Sequence, residues 1–147
     1  KADLTITARQ PHSRMVQYVD EGKDAAVSWP SQDFKFTNNT EYPVYIVAHS
    51  NENRNRCIIE IYGHLLADGM SIVIESEVTE ILKPGDDVYR YTKDLPTGQK
   101  ERVEGAREGC KAVAYRVYLN RNGDEIRREV LCNSTYAASG AIYRVGQ

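Results

Sequence analysis

KAVAYRVYLNRNGDEIRREVL, residues Lys111 to Leu131, decides the class of this chain. Two runs rich in valine, tyrosine and isoleucine flank Asn122-Gly123, a dipeptide suited to a tight turn whose central residues take positive φ. The stretch reads as a β-hairpin. A two-residue turn pairs Arg116 with Glu129 and Tyr118 with Arg127, favourable charge and cation–aromatic partners across the strands. The same register puts Cys110 and Cys132 on opposite faces. Facing them needs an odd loop length or one bulge, and the polar turn NRNGDE has room for either.

Strand signals continue outward from the hairpin. LTITAR alternates Leu4, Ile6 and Ala8 against Thr5, Thr7 and Arg9, the period of a half-buried strand. DFKFTNN alternates Phe34 and Phe36 against Asp33 and Lys35. YPVYIVAHS and RCIIEIYG are β-branched runs separated by the polar turn NENRN, so residues 33–62 read as three antiparallel strands. SIVIESEVTEI is a further strand, and STYAASGAIYRVG supplies a last short one. No capping box opens a sustained 3.6-residue apolar pattern, so no helix is expected. The two glycines of GHLLADGMS place a boundary that divides the chain into residues 1–66 and 67–147. DVYRYTKDLPTGQKERVEGAREG (Asp87 to Gly109) has little apolar content. The expectation is a mostly β protein, two small antiparallel modules in tandem, the second elongated with a core-poor middle.

The 147 residues suffice for one full domain or two small ones. A formal net charge of -2, with lysines and arginines scattered among acids, argues against a nucleic-acid partner, which would call for a basic stripe. No apolar run is long enough to span a membrane. The opening KADLTITARQ lacks the pattern of a signal peptide and fits a piece of a longer protein. Membrane attachment is therefore expected only through upstream segments. Oligomeric state is open. No CxxC or HxxxH spacing occurs, so neither a metal nor another cofactor is expected.

Cys110 and Cys132 flank the hairpin, and two readings stay open for them. A disulfide closing the 21 residues between them would stabilise by on the order of 3 kcal/mol if unstrained; otherwise they are small apolar residues that never pair. Cys57 reads as a buried free thiol. His49 and His64 read as ordinary histidines without a partner acid. Ten tyrosines stand against two phenylalanines and one tryptophan. Tyr89 and Tyr91 alternate around Arg90 in a segment too core-poor to bury both, so these three are the candidate ligand-binding residues. An aromatic ring beside polar groups can stack on a sugar face while hydroxyls find hydrogen bonds. Packing across a thin sheet is the competing reading.

The order of segments resembles a known family. Pro11-His12-Ser13, Val16, Tyr18, Gly22, Asp24-Ala25-Ala26-Val27, Asp33, Lys35-Phe36, Asn38-Asn39-Thr40, Pro43, Tyr45-Ile46 and Tyr62-Gly63 resemble the C-terminal part of the VanW-like family, named for an accessory protein of vancomycin-resistance clusters. The rest resembles the G-five (G5) domain. Ile74-Glu75-Ser76-Glu77, Leu95-Pro96-Thr97-Gly98, Gly105, Gly109 and Tyr115-Arg116-Val117-Tyr118 carry that likeness, with Asn122-Gly123, Glu129 and Val145-Gly146. The VanW-like part is incomplete, because the Ile-Cys-Gln motif typical of the family is absent.

The resemblance implies an extracellular or cell-surface location in a bacterial envelope. It implies non-catalytic binding to peptidoglycan or another N-acetylglucosamine-containing polymer. Two alternatives are carried. One is the C-terminal half of a cysteine-dependent cell-wall enzyme, in which His12 takes the thiol proton of the absent cysteine while Asp24 or Asp33 fixes its tautomer. The other is a mechanical spacer. Without the nucleophile, the chain itself is not expected to catalyse.

Overall fold

A computed structural model describes residues 2–51 and 56–147. The polar turn expected at NENRN lies largely outside the described residues. The elements in chain order are β1 (Thr5–Ala8), β2 (Lys35–Thr37), β3 (Tyr45–Asn51), β4 (Arg56–Tyr62), one turn of 3-10 helix (Ala67–Gly69) and β5 (Ser71–Leu82). Then come β6 (Val88–Thr92), β7 (Lys100–Glu104), β8 (Gly109–Leu119), β9 (Glu125–Tyr136) and β10 (Ile142–Gly146). The mostly β class and the small sheets are as the sequence led one to expect.

Among the described residues the strands form four sheets, ordered β1-β2, β3-β4, β6-β10-β7 and β5-β8-β9. Two pairings depart from the sequence reading. β2 does not join β3 and β4; it pairs with β1, with Ile6 opposite Phe36. Within the core-poor middle, β6 runs parallel to β10, while β7 runs antiparallel to it. Strand periodicity says which residues share a face, but not which strand lies alongside.

The chain divides into two compact units, each drawn from three separated stretches. The first comprises Lys1–Gln10, Ala26–Glu75 and Arg116–Glu129. Its buried residues include Leu4, Ile72, Val117 and Tyr118. Arg116 bonds the Asp3 carboxylate at 3.1 Å and the Leu4 carbonyl at 2.8 Å. The expected hairpin partners meet: Arg116 lies 3.4 Å from Glu129, and the Arg127 guanidinium 3.6 Å from the Tyr118 ring centroid. The turn differs. Gly123 N–H donates to Asn120 and Asn120 N–H to Asp124, enclosing three residues rather than two. Gly123 takes a φ of 89°, the left-handed residue that completes such a turn with a bulge.

β3 and β4 pair antiparallel, with Ile46 opposite Ile61 and Ala48 opposite Ile59. Every residue of β4 is exposed. Cys57 is therefore an exposed thiol, not a buried one, on a strand whose residues are all exposed. His49 does have an acid beside it, Glu60 at 3.2 Å, reached diagonally across the strands. His64 stacks on Tyr42 with ring centroids 4.2 Å apart.

The second unit comprises Pro11–Ala25, Ser76–Tyr115 and Val130–Gln147. Its core is small: Cys110, Ala112 and Tyr136 form one buried cluster. The loop Pro11–Ala25 is laid on this core by Gly22, whose φ is 88°. A side chain there would be strained by the positive φ, although it would meet the methyls of Ala112 and Ala114 only at ordinary contact distance. Ala137 N–H donates to the Ser13 carbonyl at 2.9 Å and pins the other end of the loop. Cys110 and Cys132 are free thiols. Cys132 turns its Sγ to the Gly22 carbonyl at 3.4 Å, while burial, followed by the charge of Glu21, pushes the Cys110 thiol up.

Candidate functional site

Two places in the second unit gather chemistry-bearing side chains. The first is one face of the β6-β10-β7 sheet. In the parallel register Tyr89 lies beside Tyr143 and Tyr91 beside Val145. On the other side of β10, Arg102 pairs with Tyr143 and Lys100 with Val145. Paired residues share a face, so Tyr89, Tyr91, Tyr143, Lys100 and Arg102 stand together. The Tyr89 and Tyr143 rings stack with centroids 5.5 Å apart and planes 16° from parallel. The Lys100 ammonium sits 3.7 Å from the Tyr143 centroid and 4.4 Å from that of Tyr89, and donates to the Tyr89 hydroxyl at 3.2 Å. Tyr91, at 67 % exposure, is the most open of the three.

Arg90 does not belong to this group. Strand alternation sends it to the opposite face, in register with Arg144. That face is committed to ion pairs, with Arg144 at 2.6 Å from Asp94 and 3.8 Å from Glu101. The cation in contact with the tyrosines is Lys100, with Arg102 in register on the same face, and the sequence reading singled out neither.

The second place is the His12 loop. Asp24 is buried, its side chain 1 % exposed. One carboxylate oxygen accepts from both the His12 backbone N–H and the His12 ring Nδ1, each at 2.7 Å. The other accepts the Tyr136 hydroxyl in a short hydrogen bond. Tyr136 in turn accepts from the Gly22 N–H at 2.6 Å. Burial, reinforced by the bond to Asp24, pushes the Tyr136 phenol up, which keeps it a protonated donor. An ionised carboxylate can only accept, so the proton of the neutral imidazole belongs on Nδ1 and Nε2 carries the lone pair. The Tyr18 hydroxyl lies 3.3 Å from Nε2. Tyr18 also lines an open groove with Met15 and Glu21.

Of the two acids proposed beside His12, the structure brings Asp24 there. Asp33 spends its carboxylate locally, on the Phe34 N–H at 2.9 Å and Lys35 at 4.0 Å. Tyr136 was missed because it lies far along the chain. Tyr143 carried a signal: Ile142-Tyr143-Arg144 repeats the pattern of Val88-Tyr89-Arg90, and the two tripeptides pair in register. Among the described residues no cluster of three or more His, Cys, Asp or Glu could hold a metal ion.

The model of the G5 domain matches residues 74–147, half of the chain. The chain belongs to the G5 family. Ahead of this G5 domain, residues 1–62 match the family described as VanW like protein. The chain is 46% identical over 48 residues to the uncharacterized protein YoaR of Bacillus subtilis strain 168; that match spans 33% of this chain and 16% of YoaR. Among solved structures, an IgA1 protease G5 domain covers 55% of this chain and 95% of its own, at 20% identity and a TM-score of 0.34. The HP0197-G5 crystal structure covers 52% of this chain and 97% of its own, at 19% identity and a TM-score of 0.28. VanW-like and G5 domains occur in bacterial cell-envelope proteins, and the class they give this chain is a cell-wall-associated binding module.

Proposed function

We propose that this G5-containing chain attaches non-catalytically to peptidoglycan or another N-acetylglucosamine-containing polymer at the bacterial cell surface, through the tyrosine face of β6-β10-β7. The observation that carries the reading is the stacked Tyr89–Tyr143 pair with Lys100 laid over it, beside the open ring of Tyr91. An amino sugar presents C–H groups and an N-acetyl methyl, which pack on aromatic rings, together with hydroxyl and carbonyl oxygens that accept from cations. Tyr91 offers the stacking surface; Lys100 and Arg102 offer the donors. The stacked pair and its ammonium hold one another in place, so little side-chain freedom is lost when a ligand arrives.

Co-sedimentation with purified peptidoglycan sacculi tests the reading. The parent chain is expected to pellet with sacculi at micromolar concentration, and a Tyr89→Ala/Tyr91→Ala double variant to stay in solution with its circular dichroism unchanged. Failure of the parent to pellet, or equal pelleting by the folded variant, overturns it.

A further inference from the structure

We propose that His12 is a general base in a second, independent site, its tautomer fixed by Asp24, taking a proton at Nε2 from a weakly acidic S–H or O–H group that approaches alongside the Tyr18 hydroxyl. Three features carry this, none of them shared with the tyrosine face.

The first is the asymmetry of the pair. Asp24 is buried and His12 is not: their side chains are 1 % and 32 % exposed. A carboxylate removed from water needs hydrogen bonds to remain ionised, and Asp24 receives them from the His12 backbone, the His12 ring and Tyr136. The imidazole is thus held at one nitrogen by a fixed acceptor and presents the other outward. A histidine that only filled space would not need its Nδ1 anchored by a buried charge.

The second is the clamp on the acid. Tyr136 bonds Asp24 with its hydroxyl proton and takes the Gly22 N–H on its oxygen. The carboxylate is therefore oriented by a residue of β9 as well as by its own loop. Such support from behind is what keeps a general base within the narrow geometry that proton transfer requires.

The third is the company at Nε2. The Tyr18 hydroxyl, at 3.3 Å, is a weak acid pointed at the lone pair, and its side chain is exposed. It marks the direction from which another S–H or O–H would approach. In the proposed step the proton passes from that group to Nε2, leaving the group as its thiolate or oxyanion, and the imidazolium that results is stabilised by Asp24.

Carbethoxylation by diethyl pyrocarbonate reads the Nε2 lone pair directly. Nε2 bonds to the reagent carbonyl, ethyl carbonate departs, and the Nδ1 proton is released to Asp24 or water. His49 and His64 serve as internal standards, mapped by mass spectrometry at about pH 8, above the ordinary imidazole range. His12 is expected to react at least about threefold faster than either, although its ring is less exposed than that of His49. Asp24→Asn should bring it down to their rate or below. Because Asp24→Asn is a buried change, Tyr136→Phe gives a second arm, expected to slow His12 while leaving His49 and His64 untouched. Nitrogen-15 spectra of the ring should show the proton on Nδ1. A His12 rate at or below that of His49, a rate indifferent to both variants, or a proton on Nε2 would each overturn the proposal.

Discussion

The two places where side chains converge are built in opposite ways. At His12 a buried acid is surrounded by donors from a loop and from the end of β9, with Tyr136 1 % exposed. At Tyr89 the rings lie on an open sheet, with Tyr89 47 % exposed, and strand register brings them side by side. The first arrangement is held by the cost of leaving a buried charge unpaired, the second by the geometry of three short strands. Damage to either should therefore show in different observables.

The largest effect is expected where backbone meets backbone. A methyl at Gly140 would overlap the Asp86 carbonyl, next to the bonds from Ala141 N–H to Asp87 and from Val88 N–H to Ala141 that join β10 to β6. Gly140→Ala should cost about 3 kcal/mol or more in urea unfolding and abolish sacculus binding. The His12 ring signals of the fraction that remains folded should not shift. If they shift as well, the two places are coupled through the packing of the second unit and the contrast fails.

Next comes Tyr136→Phe, which leaves the Gly22 N–H and one Asp24 oxygen without the phenol. The expected cost is about 1–3 kcal/mol, with sacculus binding retained. The phenol also has a pH signature. Its folded pKa is raised above the ordinary value of 10.0, so its stabilisation is complete below that value and is lost as pH climbs through the folded pKa. Alkaline titration of stability should be shallower in Tyr136→Phe than in the parent.

Lys100→Ala should reverse the balance. An exposed cation–aromatic contact is worth about 0.5–1 kcal/mol, so unfolding should barely change while pelleting with sacculi falls severalfold. The smallest effect is expected for Arg90→Ala, on the far face: binding within about twofold of the parent, since a rim or off-face charge contributes little. A large loss there would show that the ligand grips both faces of the sheet.

Much of this was legible in the chain. Alternation identified the strands, and Asn122-Gly123 located the hairpin, although the turn proved one residue longer. Chain order placed an acid beyond His12 and left Asp24 and Asp33 as equals; burial and distance separated them. What the sequence hid were neighbours. The side-by-side placement of Tyr89 and Tyr143 depends on β6 and β10 running parallel, and no local pattern encodes which strand lies alongside. Arg90 was grouped with its flanking tyrosines by proximity along the chain, where the two-residue strand period already assigned it the other face. Tyr136 sits 112 positions from Asp24, beyond any spacing rule.

That last separation bears on how the protein is made. A ribosome releases the loop carrying His12 and Asp24 early and the end of β9 late, at about 5–20 residues per second. Until Tyr136 emerges, the acid has neither its hydroxyl donor nor the packing that excludes water from it. The His12 pair is thus a late product of synthesis, and a nascent chain stalled before β9 would carry both residues without yet holding them in their final arrangement.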